Sequence, residues 1–344
     1  MSKRALRRMP LEKLMDLKID YAFKQLFGSE KNKEITVVFL NAILQKTGRA
    51  TIREIVFIDQ EVGGQFVEDK QSRLDIVVRT QTGDFINIEM QLSNQNDMVK
   101  RTLYYWSRLF SEQLRRGEMY QDLRPTITIN ICDFTLFSQT DYYHSTYHLY
   151  EDTVLKRLHP EDDVLEFHFI EMKKFIQAWH EETLDPWDDL LVRWLLLLGM
   201  VDARKQRVYD EIYKELEALA MKDERLMEAF EAWDELSATP EMRMAYTSRL
   251  KTILDVESKM RYAMTKGKEE GRAEGIKEGK EQGRKEGRAV GIKEGIEQGA
   301  IETNKNIIFN GYRNGLDVAM LSMLTGYSEQ EVERIIESFE KETE

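Results

Sequence analysis

The chain has 344 residues, 42% of them hydrophobic, with a formal net charge of −12. That length supports a sizeable core and more than one structural unit, while the acidic total excludes a general nucleic-acid-binding surface. The single cysteine, Cys132, excludes a disulfide framework and favours a cytoplasmic site, and no run approaches the roughly 18 to 20 apolar residues that span a bilayer, so no membrane partner is expected.

The opening MSKRALRRMP is basic but lacks an apolar stretch, so it does not read as a signal peptide. Lys3, Arg4, Arg7 and Arg8 suit either phosphate contact or a solvated arm. Charge is uneven: residues 1–135 hold 21 Lys and Arg against 18 Asp and Glu, and the remainder 29 against 44. Contact with a phosphate backbone therefore belongs to the N-terminal part. Residues 11–28 read as a helix with Leu14, Leu17, Tyr21 and Phe23 on its stripe. Asp20 and Lys24, four apart, make a surface ion pair in the plainest reading. A second helix runs from about Lys33 to Thr47, burying Val37, Leu40, Asn41 and Leu44, and Ile52 to Glu61 reads as a strand. Gly63, Gly64 and the polar run to Ser72 form a loop.

Arg73 to Gln91 reads as a β-hairpin. Leu74, Ile76, Val77 and Val78 form one apolar run and Phe85, Ile86, Ile88 and Met90 the other, around a Gln81-Thr82-Gly83-Asp84 turn. Asp75 and Glu89 occupy strand positions that favour apolar residues, roughly opposite each other, and Gln91 shares the Glu89 face. Converged carboxylates repel, and a divalent cation with hard oxygen ligands is one solution. Spacing alone equally fits an ordinary hairpin whose acids face solvent.

Asp97 to Tyr120 reads as a helix covering the sheet with Leu103, Trp106, Leu109, Phe110 and Leu114; Lys100, Arg101, Arg108, Arg115 and Arg116 decorate it, solvated or on phosphate. Thr126 to Phe134 completes a mixed sheet, in which Cys132 packs as a small hydrophobe rather than acting as a nucleophile. Strands with flanking helices make an α/β layered fold. His144 and His148 have a spacing that can place two imidazoles on one metal, but there is no secure helix and no H-E-x-x-H pattern, so no second metal site is expected. Phe167 to Ile170 suits a strand and Glu171 to Trp179 a helix. Asp185-Pro186-Trp187 reads as the start of a buried helix through LLVRWLLLLGM, and residues 203–262 as amphipathic helices broken near Thr239-Pro240.

From Gly267 to Gly299 glycine recurs every fourth residue among Glu, Lys and Arg. Glycine weakens an isolated helix, yet this spacing lets two backbones approach closely. A helical segment mediating a homodimer or higher homo-oligomer is one reading, and a charged flexible linker the other. The tail has a helix–turn–helix pattern with Ser328 and Glu331 as a capping box. Residues 301–344 carry 4 Lys and Arg against 9 Asp and Glu, a balance that favours protein interaction over reading DNA.

The D-x(13)-E-x-Q pattern of Asp75, Glu89 and Gln91 resembles the signature of the PD-(D/E)XK nuclease superfamily. Together with the segments 19–44, 97–120, 126–134 and 167–175, in that order, the chain resembles its bacterial recombination-promoting nuclease and transposase family. The resemblance implies a restriction-endonuclease-like α/β core, a mixed sheet flanked by helices, here with an all-helical C-terminal extension. It implies a DNA endonuclease using Mg²⁺ or Mn²⁺, held by Asp75, Glu89 and the backbone carbonyl of Met90. Gln91 would position the attacking water, and Asp20, which matches the D-x-x-F-K-x-x-F opening, would assist. Gln91 stands where the superfamily pattern has Lys, so that position lacks a positive charge. The competing expectation is a catalytically silent nuclease-fold protein that acts through its C-terminal helices. The expected divisions are 1–180 for the nuclease-like domain, 181–264 for a helical extension, 265–300 for the glycine-repeat segment and 301–344 for a small helical module.

Overall fold

A computed structural model describes residues 10–58, 75–94, 96–158 and 163–343. The basic N-terminal arm, the end of the strand expected to reach Glu61, the loop to Ser72, and Arg73 and Leu74 of the hairpin lie outside the described residues. The chain falls into two compact units, residues 1–256 and 257–344.

The first unit is built on a mixed six-stranded sheet. Its strands are β1 (Ile55–Phe57), β2 (Ile76–Thr80), β3 (Phe85–Gln91), β4 (Thr126–Cys132), β5 (His144–Tyr147) and β6 (Leu165–Glu171), in the order β1-β2-β3-β4-β6-β5. β3, β4 and β6 run parallel, and β1, β2 and β5 are antiparallel to their neighbours. β4 and β6 are buried along their whole length, as parallel strands covered on both faces must be. The β2–β3 hairpin pairs Ile76 with Ile88 and Arg79 with Phe85, with Gly83 at φ +94° in the turn.

One face of the sheet carries Val78, Ile86, Ile88, Ile129, Ile131 and Ile170. It packs in a single core with α1 (Asp20–Phe27), α2 (Lys33–Leu44), α5 (Leu190–Gly199), α6 (Asp210–Ala220) and α7 (Glu224–Ala238). Phe23, Phe27, Phe39 and Trp194, all buried, meet there ring to ring. The apolar α5 sequence is therefore a buried helix. Asp189 caps it by accepting from the Leu191 and Val192 amides, and the helix starts there rather than at Asp185-Pro186. A residue that accepts two amide hydrogens sets the start more firmly than proline's fixed φ.

The other face is covered by α3 (Met98–Ser111), which is followed in chain order by α4 (Met172–His180) after β6. The helix expected to reach Tyr120 ends at Ser111. Its buried positions are Met98, Thr102 and Tyr105, whereas Leu103 is 45% exposed. The face turned to the sheet is mixed: Trp106 packs edge-on against Phe167 of β6 as the apolar stripe suggested, whereas Thr102 lies over a stretch of sheet that is polar at Asn87, Glu89 and Asn130. Thr102 Oγ1 donates to Asn130 Oδ1 at 3.2 Å.

Residues 11–28 are not one helix. Leu11–Lys13 is a short 3-10 turn, and the chain then runs to α1 through a buried segment. Asp16 Oδ1 accepts the Lys18 amide at 2.9 Å, a side-chain bond two residues on that competes with helix. Asp16 and Lys18 form a buried ion pair, and the Lys18 ammonium also bonds the Val201 carbonyl. β7 (Val201–Asp202) and β8 (Arg207–Val208) form a small hairpin that the sequence did not suggest.

The chain breaks between Thr239 and Pro240 as expected, and α8 (Pro240–Arg313) includes the glycine repeat as helix. α9 (Val318–Thr325) and α10 (Glu329–Thr343) follow. In the second unit Ile308, Leu321, Val332 and Ile336 form a small core. Gly311 is needed there: a Cβ would lie 2.5 Å from Leu321. At each repeat glycine from Gly267 to Gly299 a Cβ would meet nothing within 4 Å among the described residues. The Ser328 amide donates to Glu331 Oε2 at 2.9 Å and the Glu331 amide to Ser328 Oγ at 3.3 Å, the expected capping box. No described helix is long and apolar enough to cross a membrane.

Candidate active site

Alternation along β3 divides its side chains. Ile86, Ile88 and Met90 enter the main core, while Asn87, Glu89 and Gln91 line the face under α3. Glu89 is 2% exposed. Its Oε1 accepts Asn87 Nδ2 at 3.3 Å and the Asp75 amide at 3.2 Å, and its Oε2 accepts Gln91 Nε2 at 3.3 Å. Asp75 Oδ2 in turn accepts the Met90 amide at 2.9 Å. The two acids therefore meet across the hairpin end by bonding to each other's strand.

Two helices bring cations to this pair. Lys24, on α1, places its ammonium 2.9 Å from Asp75 Oδ1. Arg101, on α3, donates to Gln91 Oε1 at 3.3 Å and lies over the Tyr105 ring. Asp20 starts α1, but its carboxylate is gripped by Arg249 of α8, with contacts of 2.8, 2.9 and 2.6 Å. The Asp20–Lys24 surface pair does not form: each residue has found a partner distant in sequence. Spacing hid Lys24 and Arg101 because their partners are set by packing, and Lys24 carried one signal, its place one turn after Asp20.

Burial raises the Asp75 carboxyl above the usual range, against the pull of Lys24, and Asp20 adds to the rise. Burial and the Asp75 charge push Glu89 up to about 7. Two buried acids that resist ionising together suit a divalent cation. The other donors fit as well: Asn87 Oδ1 and, on the facing position of β4, Thr128 Oγ1 are buried with no hydrogen-bond partner among the described residues. All are hard oxygens of the kind Mg²⁺ or Mn²⁺ accepts.

His144 and His148 turn to different partners. His144 Nε2 faces His168 Nδ1 at 2.9 Å, while His148 lies beside Asp163. Cys132 is buried, and burial pushes its thiol up to about 12, which suits packing and not nucleophilic attack. No curated protein and no solved structure matches the chain. A family model described as PD-(D/E)XK nuclease family transposase matches residues 17–263, from just before α1 into α8. That span takes in the whole sheet, the acid pair and both cations, and the chain belongs to the PD-(D/E)XK nuclease family of transposases.

Proposed function

We propose that the protein is a metal-dependent DNA endonuclease that hydrolyses phosphodiester bonds and promotes recombination in mobile-element or phage-defence settings, in the cytoplasm. The observation that carries this reading is the buried Asp75–Glu89 pair at the open end of the hairpin, flanked by Lys24 and Arg101. Asp75, Glu89 and the Met90 carbonyl would hold Mg²⁺ or Mn²⁺, which when bound lowers the pKa of water and offsets charge on the phosphate.

The chain's own residues supply the rest. Gln91 orients the attacking water, with its amide held between Glu89 and Arg101. Arg101 brings the positive charge that residue 91 lacks. Lys24, about a third exposed, neutralises Asp75 and would donate to a phosphate oxygen of bound DNA. Asp20 assists once Arg249 releases it. Exposed Lys100, Arg115 and Arg116 extend a basic border for the DNA backbone. The glycine-repeat helix, where a Cβ at each glycine of the stripe would meet nothing within 4 Å among the described residues, would associate with a second copy.

A catalytically silent nuclease-fold protein is the second reading. It is favoured by Gln91 in place of Lys and by the pairing of Asp75 and Asp20 with cations. Plasmid cleavage separates the two, using purified protein with Mg²⁺, Mn²⁺, Ca²⁺ or EDTA. The endonuclease reading expects nicking or linearisation with Mg²⁺ or Mn²⁺, lost in Asp75→Ala and Glu89→Ala proteins that keep their circular dichroism. Wild type that is inert with every metal would leave the silent reading in its place.

A further inference from the structure

A second group of ligand-type side chains lies away from the hairpin acids, where the chain leaves β5 and enters β6. Glu166 and His168 alternate with Leu165, Phe167 and Phe169 along β6 and are buried on the opposite face. His168 Nε2 meets Glu166 Oε1 at 2.6 Å, and His144 meets the other ring nitrogen. Thr47 Oγ1 donates to the same Glu166 oxygen at 2.7 Å, and Arg49 pairs with Oε2. Burial works against the Glu166 charge, but the His168 ring, Arg49 and Thr47 outweigh it. Asp163 Oδ2 accepts from Arg157 at 3.3 Å.

Into this group points His148, whose side chain is only 3% exposed. Its Nδ1 lies 2.7 Å from Asp163 Oδ2, yet neither ring nitrogen has a hydrogen-bond partner among the described residues. A buried imidazole with neither nitrogen hydrogen-bonded is costly. A nitrogen beside a carboxylate oxygen but out of hydrogen-bond alignment is the relation of two ligands to one ion, which sit roughly 3 Å apart around a metal at about 2 Å. The ligand atoms of His148, Asp163 and Glu166 all lie within 4.8 Å of one another. A cavity of about 280 Å³, lined in part by Arg49, Arg157, Asp163 and Glu166, adjoins them and gives room for entry and for coordinating water.

We propose that His148, Asp163 and Glu166 form a second cation site, separate from the hairpin acids, for a borderline first-row ion such as Zn²⁺. One imidazole with two carboxylates selects such an ion over Mg²⁺, which favours oxygen alone. His168, itself held by His144, is the outer partner that fixes the Glu166 carboxylate. Arg49 and Arg157 are the competitors, since they neutralise the carboxylates without the ion. The bound ion would tie the segment after β5 to the start of β6 and stabilise that edge of the sheet.

The test uses tag-free, full-length protein stripped with chelator, then dialysed against Zn²⁺ with excess Mg²⁺ to occupy the hairpin. Wild type is expected to retain about one Zn²⁺ per chain. X-ray absorption at the zinc edge should show one imidazole in the coordination shell, which the hairpin acids cannot supply. His148→Ala and Asp163→Asn should lose that ion and the Zn²⁺-dependent rise in Tm, while His148→Ala keeps wild-type behaviour in the plasmid assay. A zinc shell of oxygen alone, or no retained zinc, overturns the proposal on wild type alone, whether or not the variants fold. Equal zinc retention by wild type and a folded His148→Ala protein overturns it as well.

Discussion

Glu89 sits at the candidate site with chemistry far from its solution behaviour. Burial and the Asp75 charge push its carboxyl up to about 7, against about 4.3 in an unfolded chain. Between those values the folded state keeps a proton that the unfolded state gives up, so this residue's contribution to stability falls as pH rises through that window. The fall is at most about 4 kcal/mol. In EDTA, Glu89→Gln removes it: the variant's Tm should exceed wild type at pH 8, with the gap closing toward pH 5. A gap that stays constant with pH would show that Glu89 does not titrate in this range. Lys24 is the second decisive residue. Lys24→Met removes the cation on Asp75 and should lower Mg²⁺-dependent cleavage on the order of 100-fold, the scale seen when one charge-stabilising donor is lost. Full activity in that variant would assign the Asp75 pair to stability only.

At the scale of single elements, α3 is the informative case. Its outward residues Val99, Leu103 and Tyr104 are near half exposed, while Thr102 is buried against Asn130. Leu103→Lys should therefore change stability by no more than about 0.5 kcal/mol. Thr102→Leu, which adds bulk and leaves Asn130 Oδ1 without its donor, should lose about 1 to 3 kcal/mol. Urea unfolding of the two variants checks both, and the reverse order would restore the orientation read from the apolar spacing. For α5 the cap decides: Asp189→Ala frees two amides and should lower stability by about 1 kcal/mol in the same measurement, whereas a change at Asp185 should be smaller.

For the whole molecule, the question is what the glycine repeat is for. Within one chain the repeat is helical, and no packing requirement demands glycine there, unlike Gly311. Replacing Gly279, Gly283 and Gly287 with Ala should strengthen the helix by up to about 1 kcal/mol per site. If the stripe brings two copies together, the added Cβ atoms hold the backbones apart, and the same triple variant should sediment as a smaller species than wild type. An unchanged sedimentation coefficient with higher helicity would remove the stripe from assembly.

Much of this protein is decided locally. The alternation of Asn87, Glu89 and Gln91 against Ile86, Ile88 and Met90, with Gly83 in the turn, fixes a hairpin whose acids meet, because a strand's period is two whatever surrounds it. The apolar run of α5, the break at Thr239-Pro240 and the Ser328–Glu331 box are local in the same sense. Other features depend on partners far along the chain. Lys24 and Asp20 share a helix face, yet one bonds Asp75 and the other Arg249, since ion pairs form with whatever charge packing brings near. The orientation of α3 follows from Thr102 meeting Asn130 beside Trp106 meeting Phe167, and the extended run before α1 from the buried Asp16–Lys18 pair. His148, Asp163 and Glu166 likewise become one cluster only after β5 and β6 pair, because strand pairing, and no spacing in the sequence, sets the distance between them.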